Sequence, residues 1–172
     1  MALVYKAGCR DFMFDGAMDA VRSMDENPDI HHVFPKDWCN GHGVPKDRRD
    51  SIVNKTPLLP ETNRSISGDA PSVYKETIKE KAKIDEEELR ARVESHLVDW
   101  NAFSRDDFQA HFVARARRLL DLVEEAMGKE VADRDSEQTR KEFGASLAKD
   151  APAPSAGAGE PAEDGMPAGG GA

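Results

Sequence analysis

Two adjacent histidines, His31 and His32, are the residues of this sequence whose types and spacing most directly point to chemistry. They lie in a short apolar segment that ends at Pro35 and is predicted to be a strand, so their side chains should leave the backbone in different directions. An imidazole can accept a proton near neutral pH or bind a metal ion. Such a pair alone more often forms structural hydrogen bonds or a chance zinc site, so the surrounding sequence has to decide.

Two asparagines follow the histidines within one short segment. Residues 36–50 are rich in Lys, Asp, Gly and Pro and are predicted to be a loop. Residues 52–58 are predicted to be a second short strand, which carries Asn54. The chain then turns into a short helix that carries Asn63. The predicted order over residues 29–68 is therefore strand, loop, strand, helix.

The segments that carry these residues resemble the ββα-metal motif of HNH nucleases. They read Asp-Ile-His-His-Val-Phe-Pro at 29–35, Ser-Ile-Val-Asn-Lys-Thr-Pro-Leu-Leu at 51–59 and Glu-Thr-Asn-Arg-Ser-Ile-Ser at 61–67. With an asparagine at the third position, the chain would be an H-N-N variant. Further segments, from Arg10-Asp11-Phe12 to AMGK at 126–129, are similar to the C-terminal part of GmrSD-type modification-dependent restriction proteins.

The resemblance to HNH nucleases implies a role for each residue of the motif. It makes His32 the general base that deprotonates a water molecule and His31 a metal ligand. Asn63 would be a second ligand, placed on the helix, and Asp29 would supply an additional oxygen from the strand. Asn54 would either orient His32 or hold the loop through hydrogen bonds.

The implied reaction is phosphodiester hydrolysis with a divalent cation, which acts as a Lewis acid on the phosphorane and on the departing 3′ oxygen. Mg²⁺ is the expected cofactor. Many HNH proteins carry Asp where this chain has His31, and an imidazole ligand shifts the preference towards Mn²⁺, Ni²⁺ or Zn²⁺. Lys36, Lys55 and Arg64 are the predicted contacts to nucleic-acid phosphates, and Arg64 suits a bidentate grip.

The predicted fold class is α+β, with the ββα-metal motif embedded in a mainly helical domain. We predict that the nuclease domain covers residues 1–130, with the motif at 29–68 and helical support at 71–129. The strongest predicted helix is 104–129, with Ser104 as its N-cap and Gly128 as its end. Other helices are predicted to begin near Pro71 and after Asp85. Residues 131–172 are predicted to be a polar linker and a disordered Ala/Pro/Gly-rich tail.

The net charge of −9 argues against strong DNA binding by the chain alone, because neutralisation of phosphates supplies most non-specific affinity. Residues 29–68 nevertheless carry six basic and five acidic side chains, so the motif itself is nearly neutral. GmrSD-type proteins carry a nucleotide-hydrolysing domain with an Asp-Gly-Gln-Gln-Arg type motif, which this sequence lacks. We therefore expect a nucleotide-hydrolysing partner domain or subunit.

The expected location is the cytoplasm, without membrane contact. No secretory signal peptide or membrane-spanning run is recognisable, and Cys9 and Cys39 are predicted to be reduced thiols. His42 is predicted to be a solvated loop residue, whereas His96 and His111 receive no role.

Three functions remain open from the sequence. The first is a metal-dependent DNA endonuclease domain of a restriction or phage-defence system. The alternative is a catalytically inactive HNH-like module that binds a partner or DNA. A structural zinc domain is the third, and it predicts unfolding by chelators.

Overall fold

The computed structural model describes residues 1–16 and 29–152, and these residues form an α+β fold with one two-stranded sheet surrounded by helices. The helices are α1 (Ala2–Lys6), α2 (Lys36–Gly41), α3 (Lys46–Arg49), α4 (Pro60–Ile66), α5 (Pro71–Ala82), α6 (Glu86–Glu94), α7 (Trp100–Ser104), α8 (Phe108–Met127) and α9 (Glu137–Phe143). The strands are β1 (Asp29–His32) and β2 (Lys55–Leu58). The predicted fold class is thus confirmed at the level of α+β.

The two strands are antiparallel, and their register places His31 opposite Thr56 and His32 opposite Lys55. Both strands are shorter than predicted. β1 ends at His32 because the chain bends immediately afterwards. β2 starts at Lys55 because residues 52–54 form a 3₁₀ turn, which begins where the Ser51 hydroxyl accepts a hydrogen bond from the amide of Val53. The prediction that Asn54 lies on the second strand was therefore wrong, since it is the last residue of this turn.

The segment 36–50 is not the continuous loop that its composition predicted. It contains α2 and α3, and each of these helices follows a proline, Pro35 or Pro45. Proline is well tolerated at a helix start, because its fixed φ suits the first turn and its missing N–H would have had no partner there. The Lys and Asp residues that suggested a loop are largely exposed on these short helices.

Helix α8 starts later than predicted. Its N-cap is Asp107, whose Oδ1 accepts a hydrogen bond of 2.9 Å from the amide of Ala110, whereas Ser104 ends the preceding helix α7. The predicted end is confirmed, because Gly128 adopts the left-handed conformation at φ 67°. Although α8 is 20 residues long, its composition is mixed, and within the described ranges no helix is long and apolar enough to cross a membrane.

The hydrophobic core lies between the sheet, α4 to α6 and the α7–α8 pair. The predicted starts of α5 at Pro71 and of α6 after Asp85 are confirmed, and Asp85 accepts a capping bond from the amide of Glu88. Side chains from all of these elements are buried together. They include Val33, Phe34, Leu58, Ile66, Tyr74, Ile78, Leu89, Val93, Phe103 and Val113. The core therefore fixes the sheet and α4 against the helical part of the domain.

Residues 131–152, which include most of the segment predicted to be a polar linker, pack against α8 and contain the short helix α9. Leu147 is buried in the core, and its carbonyl accepts a hydrogen bond of 2.8 Å from Arg134. Arg134 also pairs with Asp121 at 2.7 Å, and Arg117 donates to the carbonyl of Ser146. The segment was predicted to be a linker because arginines bonded to backbone carbonyls and to a carboxylate leave no apolar pattern in the sequence. The predicted disordered tail covers residues 151–172, and all of it except residues 151 and 152 lies outside the described residues.

Candidate functional site

A cleft of about 160 Å³ lies between the end of β1, the start of α2 and the end of α4. It brings together four of the residues that the sequence predicted for the site, namely His31, His32, Asn63 and Lys36. The full lining is His31, His32, Pro35, Lys36, Asp37, Asn63, Ile66, Ser67 and Gly68. Residues from the strand and from the helix of the predicted motif therefore meet in one place.

Both histidines reach this cleft because β1 ends at His32. Adjacent residues within a strand point to opposite faces, but the bend at Val33 and Phe34 redirects the chain just after the second histidine. The bend is anchored from the helical part of the domain, since the hydroxyl of Tyr74 donates a hydrogen bond of 2.8 Å to the carbonyl of Val33. The side chains of His31 and His32, which were predicted to leave the strand in different directions, thus both line the cleft at the end of β1.

Asn54 is fully buried and holds the same bend from the other side. Its Oδ1 accepts a hydrogen bond of 3.0 Å from the amide of Phe34, and its Nδ2 donates to the carbonyls of Phe34 (3.0 Å) and Arg49 (2.9 Å). Its backbone carbonyl accepts a further bond of 2.8 Å from the amide of Val33. Of the two roles left open for Asn54, these bonds match holding the loop. In the described structure its side chain makes no hydrogen bond to His32.

His32 has a carboxylate partner that the sequence did not single out. Its Nε2 lies 3.1 Å from Oδ1 of Asp50, which is 18 residues away. Arg49 donates to both oxygens of that carboxylate, from Nε at 3.1 Å and from Nη2 at 2.7 Å, and thereby holds the pKa of Asp50 well below its usual range. No local sequence pattern signals a pairing between a strand end and the residue after a short helix.

Burial lowers the pKa of His32 below its ordinary value. The hydrogen bond to Asp50 opposes this effect, and the nearby charges of Lys55 and Lys36 lower the pKa further. A lowered pKa keeps the imidazole unprotonated near neutral pH, which is the form that a general base requires. The local electrostatics of His32 therefore suit the role that the resemblance implied.

The predicted metal ligands are only partly described. His31 and Asn63 line the cleft, whereas the structure describes Asp29 only as a backbone position in β1. Asp37 also lines the cleft, although it was not predicted to be a site residue. Its Oδ2 would lie 3.1 Å from a side-chain carbon at Gly68, so the absence of a side chain there leaves room for the carboxylate.

Within residues 1–16 and 29–152, no three His, Cys, Asp or Glu side chains form a cluster that could hold a metal ion. Apart from His32, the side chains in the cleft that could bind a metal ion are the imidazole of His31, the amide of Asn63 and the exposed carboxylate of Asp37. Mg²⁺ commonly keeps several waters and takes few protein oxygens, and an imidazole nitrogen suits the later divalent metals. This donor set therefore fits a partly hydrated divalent cation better than a closed structural zinc site, which needs four protein ligands.

The three predicted phosphate contacts lie around the site at different depths. Lys36 lines the cleft, and Lys55 stands opposite His32 in the sheet register. Arg64 is exposed on α4, next to Asn63, and is not part of the cleft lining. Of the three, only Lys36 therefore shares the cleft with the histidines.

The helix that carries Asn63 is capped by a residue from far away in the sequence. The N-cap of α4 is Leu59, which has no polar side chain, and its amide donates a hydrogen bond of 2.8 Å to Oδ2 of Asp11. Oδ1 of Asp11 accepts from the hydroxyl of Thr62 and from the amide of Met13. A buried carboxylate thus sits at the positive end of the α4 dipole and fixes the helix beside the sheet.

The other histidines lie outside the cleft. His42 is exposed and stacks on Trp38, with ring centroids 4.0 Å apart. His96 is fully buried, hydrogen-bonds Thr56 through Nδ1 at 2.6 Å, and burial lowers its pKa to about 3. His111 is fully buried against Phe34, and burial lowers its pKa well below the usual value. The two buried rings serve the core.

A larger cavity of about 390 Å³ lies between α8 and residues 131–147. Its lining is almost entirely apolar, and the guanidinium of Arg134 is already paired with Asp121 and Glu124. Asp133 and Thr139 are its other polar lining residues, and no histidine or cysteine lies among them, so the smaller polar cleft is the better candidate for chemistry.

Comparison with known proteins adds one short similarity. A stretch of 44 residues is 48% identical to the uncharacterised protein MJ0686 of Methanocaldococcus jannaschii. The stretch covers 26% of this chain and 8% of that protein, so this chain corresponds to a small part of its relative. No protein-family profile and no solved structure matches the chain.

Proposed function

We propose that this chain is a metal-dependent DNA endonuclease domain that hydrolyses phosphodiesters with His32 as general base. The observation that carries the proposal is the single cleft to which His31, His32, Asn63 and Lys36 all contribute. A proton acceptor, two metal donors and a cationic side chain are the groups that this reaction needs, and they come from β1, α4 and the start of α2.

His32 would take a proton from the attacking water at the ring nitrogen that does not face Asp50. Lys36 in the cleft and Lys55 opposite His32 in the sheet would contact the phosphate, and Asn54 would keep the bend in place. His31 and Asn63, with Asp29, would hold the divalent cation. When bound, that cation supplies Lewis-acid stabilisation of the phosphorane and of the leaving 3′ oxygen. The products would carry a 5′ phosphate and a 3′ hydroxyl.

Mg²⁺ is the metal that we propose first, with Mn²⁺, Ni²⁺ and Zn²⁺ as alternatives. The exposed carboxylate of Asp37 at the cleft supports an oxygen-preferring ion, whereas the imidazole of His31 supports the later metals. Isothermal titration calorimetry with each ion, in wild type and in Asn63→Ala, measures the preference without any need for cleavage. Binding that is unchanged in Asn63→Ala would remove Asn63 from the ligand set.

The resemblance to GmrSD-type proteins supports a role in a restriction or phage-defence system that acts on DNA in the cytoplasm. The net charge of −9 supports a partner that brings the domain to its substrate, because an acidic chain is repelled by DNA phosphates. We propose a nucleotide-hydrolysing domain or subunit for this task. The same charge favours the second function, a catalytically inactive HNH-like module that binds a partner or DNA.

A plasmid-nicking assay separates these functions. Wild type, His32→Ala and the exposed control His42→Ala are incubated with supercoiled DNA and Mg²⁺, Mn²⁺ or Ni²⁺, with and without a nucleotide-hydrolysing partner. We expect metal-dependent nicking that His32→Ala reduces by about 100-fold or more and that His42→Ala leaves unchanged. Nicking that persists in His32→Ala would refute the assignment of the base. No nicking by the wild type under any condition would favour the inactive module.

A further inference from the structure

The side chain of Asp50 contacts the proposed general base from outside the cleft. Its Oδ1 lies 3.1 Å from Nε2 of His32, yet Asp50 is not among the residues that line the cleft. His32 itself does line the cleft and is about one fifth exposed there. One edge of the imidazole is thus engaged by a carboxylate, whereas Nδ1 makes no hydrogen bond within the described part of the chain.

The carboxylate is itself fixed in place and charged. Arg49 grips it with two hydrogen bonds, from Nε to Oδ1 at 3.1 Å and from Nη2 to Oδ2 at 2.7 Å. The remaining nitrogen of this guanidinium, Nη1, donates to Oδ1 of Asn40 on α2. Arg49 therefore links the end of α3 to α2 and leaves Asp50 little freedom to turn.

An ionised carboxylate can only accept hydrogen bonds, so the atom that faces it has to be a donor. In neutral His32 the proton must then sit on Nε2, and Nδ1 carries the lone pair. An imidazole without such a partner distributes its proton between the two nitrogens and can rotate about its side-chain bonds. A fixed acceptor at Nε2 keeps the proton on that nitrogen and prevents the ring from rotating.

We propose that Asp50 is a positioning residue that holds His32 in the Nε2-protonated tautomer, so that Nδ1 is the nitrogen that takes the proton from water. The inference rests on the proposed function, because it describes how the base of that reaction is prepared. It assigns a carboxylate, an imidazole and a guanidinium to one line of hydrogen bonds, Arg49 to Asp50 to His32. Only His32 would touch the reacting atoms.

The amide of asparagine cannot replace this carboxylate. The Asp50→Asn side chain has one oxygen instead of two, and the shorter bond to Arg49, at 2.7 Å, is the stronger competitor for that oxygen. The NH₂ group would then replace Oδ1, so that the bond of 3.1 Å from Nε of Arg49 is lost and the NH₂ group faces Nε2 of His32 and donates to it. This arrangement requires the opposite tautomer, with the proton on Nδ1, and the basic nitrogen would point at the amide instead of at water.

The test combines an assay of turnover with a direct measurement of the tautomer. Wild type, Asp50→Asn, Asp50→Glu and the exposed control Asp47→Asn are produced as the full chain, and circular dichroism confirms that each is folded. Nitrogen-15 NMR of the histidine side chains reports which ring nitrogen carries the proton, and the His32 signals are assigned by their loss in His32→Gln. Nicking rates at saturating DNA and the KM for DNA are measured with the metal that supports cleavage.

We expect Nε2–H in the wild type and a gain of Nδ1–H in Asp50→Asn. We also expect kcat to fall by about 10- to 100-fold in this variant with little change in KM, the range found when a carboxylate that orients a metal-bound histidine is lost. Asp47→Asn should match the wild type in both readouts, and Asp50→Glu should recover part of the rate because it keeps the charged acceptor. A purely structural role would lower the stability without changing the tautomer.

Two results would overturn the inference. One is an Nδ1–H tautomer in the wild type, which is measurable even if Asp50→Asn does not fold. The other is an unchanged tautomer and a rate within twofold of wild type in a folded Asp50→Asn. If the tautomer depends on Asp50 but the wild type cuts no DNA, the proposed nuclease function fails while the positioning of His32 by Asp50 stands.

Discussion

Replacing His111 with Phe is expected to stabilise the protein. The ring is fully buried on α8, with its centroid 4.9 Å from that of Phe34, and neither ring nitrogen has a hydrogen-bond partner among the described residues. A buried polar group without a partner costs about 1–3 kcal/mol, and a phenyl ring removes that cost. Because Phe is slightly larger and the core is close-packed, part of this gain is offset. We expect the free energy of unfolding to rise by about 1 kcal/mol at pH 8.

The increase in the free energy of unfolding in His111→Phe should become larger as the pH falls. Burial lowers the pKa of His111 well below its usual 6.5, and the charges of Arg115 and Arg118 lower it further. In the unfolded chain the ring regains its ordinary pKa. Between pH 6.5 and the lower pKa of the folded protein, the unfolded state therefore binds more protons, so acidification destabilises the fold. Through this residue, the free energy of unfolding of the wild type falls by about 1.4 kcal/mol for each pH unit of acidification, whereas that of the Phe variant does not.

Urea unfolding followed by tryptophan fluorescence at pH 8, 7, 6 and 5.5 measures both effects. Other titrating groups, His96 among them, contribute equally to wild type and His111→Phe, so the difference between the two curves isolates position 111. His42→Phe makes the same change at an exposed position and should alter the free energy of unfolding little at any of these pH values. A difference between wild type and His111→Phe that stays constant from pH 8 to 5.5 would refute a neutral, buried imidazole.

Three further predictions concern the bend, the thiols and the C-terminal segment. Asn54→Ala should lower the free energy of unfolding by about 3 kcal/mol, because this buried side chain loses three hydrogen bonds at about 1 kcal/mol each. A decrease below about 1 kcal/mol in urea denaturation would contradict the role of Asn54 in holding the bend. Burial raises the pKa of Cys39 to about 11, so Ellman's reagent at pH 8 should label it only when the protein unfolds, and rapid labelling of the native protein would show an accessible thiolate. The hydrogen bond from Lys149 lowers the pKa of Glu124 to about 2, so its contribution to the free energy of unfolding is complete above the ordinary value of 4.5 and is lost as the pH falls from there through about 2. Limited proteolysis should accordingly cut residues 131–152 faster in Glu124→Gln, and an unchanged cleavage rate would show that this contact does not hold the segment.

The start or end of a helix could be predicted from the sequence where a single residue determines it. Pro71 and Asp85 start helices for reasons that act within a single turn, and Gly128 ends α8 because it alone accepts a left-handed backbone cheaply. Ser104 and Asp107 both satisfy the rule for an N-cap, and only packing chooses between them. The structure places Ser104 at the end of α7 because Trp100 and Phe103 of that helix are needed in the core.

The resemblance to the ββα-metal motif was enough to expect His31, His32 and Asn63 close together, and all three line the cleft. The residues that support them could not be predicted in this way. Asp50 was missed since its bond to His32 spans 18 residues and depends on where α3 ends. The composition around Asp37 predicted a loop. Asp37 lies at the cleft because this segment instead forms α2, which the composition did not indicate.

The carboxylate of Asp11 limits how far the motif can be treated as an independent part. Residues 29–68 contain every predicted ligand, yet the amide of Leu59 and the hydroxyl of Thr62 both depend on an acceptor supplied from position 11. Grafting the motif alone onto another scaffold would leave the helix that bears Asn63 without its cap. A fragment that keeps this cap must therefore include Asp11, and a substitution of Asp11 would act on the helix that bears Asn63 without changing any residue of the motif.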